Sequence, residues 1–277
     1  MAGLDAAEKA KYRDDGYVVP RYRVPAARID ALREVLDRLI RDNPTIRPER
    51  LVSIHIEGKN AEGIRGSKAF LELARDEAIL DLVTDVIGPD IILWGCQIFC
   101  KPGGDGMEVP WHQDGQYWPI RPIATCTAWV ALDPSTVENG CLRVIPGSHK
   151  GKVLHPHLTE NRTDIVLTQR TVDGTFDEAT AVNIELEPGQ MSLHDVYMIH
   201  GSAPNRSPKR RAGVAIRYMP ATSHFDRALM PTNAKSGYTV DFANRPLWLL
   251  RGQDRTGRND FKIGHVAQEV AGTSVGA

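Results

Sequence analysis

The chain has 277 residues, enough for one large domain or two small ones with a substantial buried core. Apolar residues make up 42% and charged residues 25%, the ordinary balance of a soluble globular protein. A formal net charge of -1 gives no electrostatic basis for binding nucleic acid or an anionic membrane, so composition points toward a small-molecule enzyme or a binding module without choosing between them.

The opening stretch MAGLDAAEKAKYRDD is charged and has no secretory-type apolar run. No segment approaches the roughly 20 apolar residues that span a bilayer. Residues 4–15 are expected to form a short polar helix stopped by Gly16, followed by a short strand at Tyr17-Val18-Val19. Pro25 suits the first turn of a second helix over 25–42, whose apolar residues Ile29, Leu32, Leu36, Leu39 and Ile40 recur at helical spacing. A third helix is expected over 67–87, closed by Gly88-Pro89.

From Asp90 the texture changes. Short apolar runs (IILWGCQIFC, TCTAWVAL, CLRVI, NIEL, SLHDVYMIH, RAGVAIRYMP) alternate with joints rich in Gly, Pro, Asn and Asp. This pattern predicts an antiparallel β core, a barrel or two-sheet roll, since parallel βαβ units would need helices between the strands. Residues 150–182 are less regular and are expected to be an insertion over one end of the roll. The segment from Gly264 to Ala277 lacks periodicity and is expected to be a tail. The whole reads as a single domain over 1–277, helical over 1–89, a β roll over 90–220 and an extension over 221–277. Cys96, Cys100, Cys126 and Cys141 form neither a disulfide framework nor a zinc pattern, so reduced thiols and a cytoplasmic setting are expected.

The strongest local signal is Trp111-His112-Gln113-Asp114. On a strand, residues two apart share a face, so an extended His-x-Asp aims an imidazole and a carboxylate at one point. His200, at the end of SLHDVYMIH, supplies a second imidazole. Two neutral imidazoles and one carboxylate on one face of a metal leave its opposite positions open, the donor set of non-heme iron(II) oxygenases. Ser202 shares His200's side of the chain, and Arg211 returns on RAGVAIRYMP with a planar fork suited to a carboxylate.

The motifs WHQDGQYWP, TAWVAL, NGCLRVIPGSHKG and HGSAPNRSPKRRAGVAIRYMP, with the opening EKAKYRDDGYVVP, together resemble the phytanoyl-CoA dioxygenase family of Fe(II)/2-oxoglutarate-dependent oxygenases. The resemblance covers residues 6–252. It implies a mainly β fold with flanking helices around a double-stranded β-helix, a jelly-roll, cupin-like core. It implies Fe(II) held by His112, Asp114 and His200, and 2-oxoglutarate as co-substrate with its distal carboxylate on Arg211, helped by Ser202. Trp129 matches an aromatic position near the co-substrate, although the stretch between His112 and Trp129 is a residue shorter than in the family, which leaves plain core packing as the alternative. The implied reaction hydroxylates an unactivated C–H bond with O2 and releases succinate and CO2. Related halogenases replace the carboxylate ligand with a small residue, so retention of Asp114 favours hydroxylation.

Gln97 and Lys101 flank the strand before the metal motif and are candidate co-substrate contacts, with a surface role for Lys101 equally open. His55, Arg65, Arg121 and Arg143 are candidate substrate contacts, each weighed against packing or solvation. His194 shares the strand parity of His200 and could approach the metal. His149 is expected to scaffold a turn, and His155 and His157 to be exposed. The favoured activity is hydroxylation of a small polar metabolite; an acyl-CoA hydroxylase of the same mechanism, a redox-neutral metalloenzyme on a cupin-like roll and a non-catalytic binding module are the alternatives.

Overall fold

The first helix, Ala6–Asp15, starts at Asp5, whose carboxylate accepts from the Glu8 amide while the Glu8 side chain accepts from the Asp5 amide. Such reciprocal capping contributes about 1 kcal/mol to a short helix. Gly16 ends it with φ 82°, a left-handed conformation that costs glycine little. The second helix is Ala26–Asp42, and its predicted stripe of Ile29, Leu32, Leu36 and Leu39 is buried. The expected third helix is two, Lys68–Ala74 and Glu77–Ile87. Asp76 breaks it, because its carboxylate caps the amides of Ala78 and Ile79 and starts a new helix there.

The computed structural model describes residues 3–229 and 240–265. The expected tail from Gly264 to Ala277 lies mostly outside these residues. Among them, no helix is long and apolar enough to cross a membrane.

Two antiparallel sheets form the core of the jelly roll. The larger has seven strands. Along its path lie Tyr17–Val18, Met191–Asp195, Cys126–Ala131, Arg211–Pro220, Ile91–Lys101 and Trp248–Arg251, while Leu51–Val52 also pairs with Ile91–Lys101. The smaller sheet runs Val182–Ile184, Leu142–Val144, Ile199–Ser202 and Val109–Gln113. The stretch 150–182 holds a hairpin of its own, His157–Thr159 with Gln169–Thr171. Trp248–Arg251 of the C-terminal extension adds to the edge of the larger sheet.

Alternation along Arg211–Pro220 shows how the sequence builds the layers. Ala212, Val214 and Ile216 pack outward, in the same core as helix residues Ile29, Leu36, Phe70 and Leu80. Burying each large aliphatic side chain there contributes about 1.5–3 kcal/mol. Arg211, Ala215 and Arg217 face inward and line a cavity between the sheets. Both faces are covered, which is why the run reads as nearly continuous apolar sequence.

Ile91–Lys101 carries one irregularity. Arg217 pairs with Gly95 but Tyr218 with Leu93, so Trp94 is an extra, bulged residue. Beyond the bulge the inward set changes parity, and Ile92 and Trp94 join Trp118, Met219 and Phe225 in an aromatic cluster.

Candidate active site

His112 and His200 are register partners on adjacent strands of the smaller sheet, and their ring centroids are 4.1 Å apart. Each imidazole is oriented from behind. His112 Nδ1 donates to the Pro110 carbonyl at 2.8 Å and His200 Nδ1 to the Met198 carbonyl at 2.9 Å. With Nδ1 protonated, each ring turns an unprotonated Nε2 toward the other. Asp114 does not continue the strand as the sequence suggests. It begins a 3₁₀ turn, Asp114–Gln116, which brings its Oδ1 to 3.6 Å from His112 Nε2 and its Oδ2 to 3.9 Å from His200 Nε2. One ligand atom from each of the three lies within 4.8 Å of the others.

Gln113, between the two, points the other way and was missed by motif reasoning, which had no reason to separate it from the turn. Its carboxamide donates to the Val153 and Tyr197 carbonyls at 2.9 and 2.7 Å and accepts from the His155 amide at 2.8 Å. It therefore pins the 150s segment and the turn before His200 against the His-x-Asp strand. His157 was expected to be exposed. It is half-buried instead, because the Gln113 amide donates to its Nε2 at 3.2 Å. His149 scaffolds its turn by pairing with the Arg13 carbonyl at 3.0 Å.

The electrostatics suit a divalent metal. Burial pushes His200 well below its ordinary value and His194 down to about 4, so both are neutral near pH 7. Burial resists ionisation of Asp114, but the positive charge of the nearby Arg217 guanidinium helps to hold its carboxyl below the usual range. Unprotonated imidazole nitrogens and an ionised carboxylate are the state that metal binding requires.

Arg211 lines the same cavity. The residue is 2% exposed, and burial pushes its guanidinium down only to about 10, so it stays charged. Among the described residues no carboxylate forms an ion pair with it; its Nε is buried without a partner, and its Nη1 makes only a long 3.5 Å contact to the Phe99 carbonyl. A buried cation with open hydrogen-bonding capacity fits an anionic ligand. The Trp129 indole lies against it, 5.2 Å from ring centroid to guanidinium carbon, and Ser202 is on the same cavity wall.

Other expectations are corrected. Lys101 is buried, not a surface residue, and its Nζ donates to the Ser202 hydroxyl at 2.7 Å and to the Ser202 and Ala203 carbonyls. Gln97 does not line the cavity either; its oxygen accepts from Arg217 Nη2 at 2.9 Å. His55 packs edge-on against Trp248, 4.7 Å away, outside the cavity. Arg65 is exposed on a small hairpin, and exposed Arg121 donates to the Trp118 and Ile120 carbonyls. Arg143 points away from the cavity, pairing with Glu178 at 2.8 Å and stacking on Trp111. His194 and His200 fall in one apolar run of the sequence, yet the turn between Met191–Asp195 and Ile199–Ser202 puts them on different sheets. It still approaches the site, its Nε2 3.9 Å from Asp114 Oδ2, outside the three-residue donor cluster. Arg217, which lines the cavity, carried no motif signal.

Residues 12–213 match the family model described as phytanoyl-CoA dioxygenase (PhyH). A Caenorhabditis elegans protein named "Probable phytanoyl-CoA dioxygenase" is 28% identical over 235 residues, 78% of this chain and 75% of that protein. A Stutzerimonas stutzeri protein named "Probable alpha-ketoglutarate-dependent hypophosphite dioxygenase" is 33% identical over 154 residues, 55% of this chain and 54% of that protein. Among solved structures, a non-heme monooxygenase, ThoJ in its apo form, superposes with a TM-score of 0.70 at 24% identity, covering 95% of this chain and 93% of that one. The chain belongs to the phytanoyl-CoA dioxygenase family and is an Fe(II)- and 2-oxoglutarate-dependent dioxygenase.

Proposed function

We propose that this dioxygenase hydroxylates an unactivated C–H bond of a small polar metabolite, with His112, Asp114 and His200 holding the iron and Arg211 holding the distal carboxylate of 2-oxoglutarate. The observation that carries this reading is the buried, charged Arg211 opening onto the same cavity as the His-Asp-His cluster. When bound, the iron supplies oxygen activation coupled to decarboxylation of 2-oxoglutarate to succinate and CO2.

The chain's own residues do the rest. The Pro110 and Met198 carbonyls hold the protons of His112 and His200 on Nδ1, so neither ring competes for a proton at Nε2. Arg211 offers a planar fork, with the Ser202 hydroxyl beside it and the Trp129 indole closing one flank. Lys101 fixes Ser202 and the backbone that follows, a positioning role. His112, Asp114, His200 and Arg211 are all buried, which strengthens each charge interaction among them and with a bound anion.

The polar lining beside the metal-holding cluster, Thr127, His194 and Arg217, supports a small polar substrate. An acyl-CoA substrate is the runner-up. A redox-neutral metalloenzyme would have no use for the Arg211 fork. We read the chain as one oxygenase domain, and the four buried, free cysteines support a reducing, cytoplasmic setting. The test is succinate release from 2-oxoglutarate by the Fe(II)-loaded protein, with and without O2. Succinate that requires O2 is expected; none under air would overturn the reading.

A further inference from the structure

The cavity has a second cationic level. Arg217 is the register partner of Thr127, and Thr127 is the register partner of His194, so the three form one row across the larger sheet. In-register side chains on one face of a sheet are neighbours, and all three line the cavity. Asp114 lines it too, with its Oδ2 3.9 Å from His194 Nε2. The row therefore borders the metal-holding cluster directly.

Arg217 is held in a fixed pose. Gln97 accepts from its Nη2 at 2.9 Å, and its guanidinium carbon is 5.6 Å from the Trp94 ring and 5.1 Å from the Trp118 ring. The bulge at Trp94 makes this possible, since it turns that indole inward beside Arg217. Thr127 and His194 are 2% and 3% exposed, and Thr127 Oγ1 and His194 Nδ1 are buried without a hydrogen-bond partner. Buried polar atoms in folded proteins normally find partners. Two such orphans, side by side on a cavity wall next to a guanidinium, are the lining expected of a site for a polar, negatively charged group.

Arg211 lies six residues earlier on the same strand, about 20 Å away at roughly 3.3 Å per residue. The two guanidinium groups thus rise from separate levels of the cavity. We propose that Arg217, Thr127 and His194 bind an anionic headgroup of the primary substrate, a carboxylate or phosphonate, and so set the neighbouring carbon at the metal. This rests on the oxygenase reading above and deepens it: the metabolite is an acid, and Arg217 selects for it.

The test uses the anaerobic Fe(II)·2-oxoglutarate complex of the full chain and follows its visible charge-transfer absorption. Acetate and methylphosphonate serve as minimal headgroups, with acetamide as the neutral control. The two anions are expected to shift the band saturably, and acetamide to leave it unmoved. Arg217→Met should weaken the response at least tenfold and Arg217→Lys should retain part of it. Thr127→Val, which keeps shape and removes the hydroxyl, should weaken it several-fold. Absence of a shift with both anions, an equal shift with acetamide, or a shift that survives Arg217→Met overturns the assignment. A wild-type protein that forms no band with 2-oxoglutarate fails at the earlier step, the oxygenase reading itself.

Discussion

The indole of Trp129 occupies the space that Gly213 leaves empty: a Cβ built on Gly213 would sit 2.1 Å from Trp129 Cζ2. Gly213 lies between Arg211 and Ala215 on the inward face, so the missing side chain lets the ring lie flat on the wall beside the Arg211 guanidinium. The glycine in RAGVAIRYMP thus serves close packing, and the tryptophan in TAWVAL reaches the arginine because of it.

Gly213→Ala is therefore expected to push the Trp129 ring off the wall and disturb Arg211. Affinity for 2-oxoglutarate, read by calorimetry on the Mn(II)-loaded protein, should fall by about tenfold, in line with an overpacking cost of roughly 1–3 kcal/mol. Mn(II) affinity should be unchanged. Full 2-oxoglutarate affinity in the variant would show that the ring does not support the site.

Arg211→Met should remove the partner of a desolvated carboxylate, a loss of about 2–5 kcal/mol. 2-Oxoglutarate binding is expected to weaken by about a hundredfold or more, with metal affinity nearly intact. Unchanged co-substrate affinity would remove Arg211 from this role.

Asp114→Ala should abolish hydroxylation and lower Co(II) affinity by more than about a hundredfold, since even groups behind the ligands are worth about 10- to 100-fold. Preserved turnover would take Asp114 out of the ligand set.

The metal-free protein should lose stability as the pH falls from 6.5 toward 4. Above 6.5 His194 is neutral in both folded and unfolded chains, and its contribution is fully present. Below 6.5 the unfolded chain takes up a proton that the folded site, depressed to about 4, still refuses; the unfolded state gains, and the loss levels off below about 4. The shift corresponds to roughly 3 kcal/mol. His200 acts in the same direction. His194→Asn should make the urea-unfolding free energy fall less steeply across this window, and an unaltered slope would contradict the account.

Much of this was legible in the chain. Helical spacing marked Ile29, Leu32, Leu36 and Leu39, and alternating apolar runs marked the β roll, because those periods follow from backbone geometry. His112, Asp114, His200 and Arg211 stood out because they sit in linked motifs, and the structure gathers them around one cavity. What was hidden depends on local breaks and on pairing across distance. Asp76 divides a helix through its side-chain cap, a competition that apolar periodicity does not reveal. The turn after Asp195 sends His194 and His200 into different sheets although both sit in one apolar run. Arg217 gains meaning only from Thr127 and His194, which reach it through register and not through sequence proximity. Lys101 and Gln97, expected as co-substrate contacts, each bond a neighbouring side chain, Ser202 or Arg217, a partnership that motif position does not reveal.

The central claim is that one cavity holds iron on His112, Asp114 and His200 and the co-substrate on Arg211. An anaerobic crystal structure with Fe(II) and 2-oxoglutarate tests it most directly. The account predicts metal bonded to both Nε2 atoms and the Asp114 carboxylate, with the distal carboxylate of 2-oxoglutarate on the Arg211 guanidinium. Iron bound elsewhere, or that carboxylate seated on Arg217 instead, would contradict it.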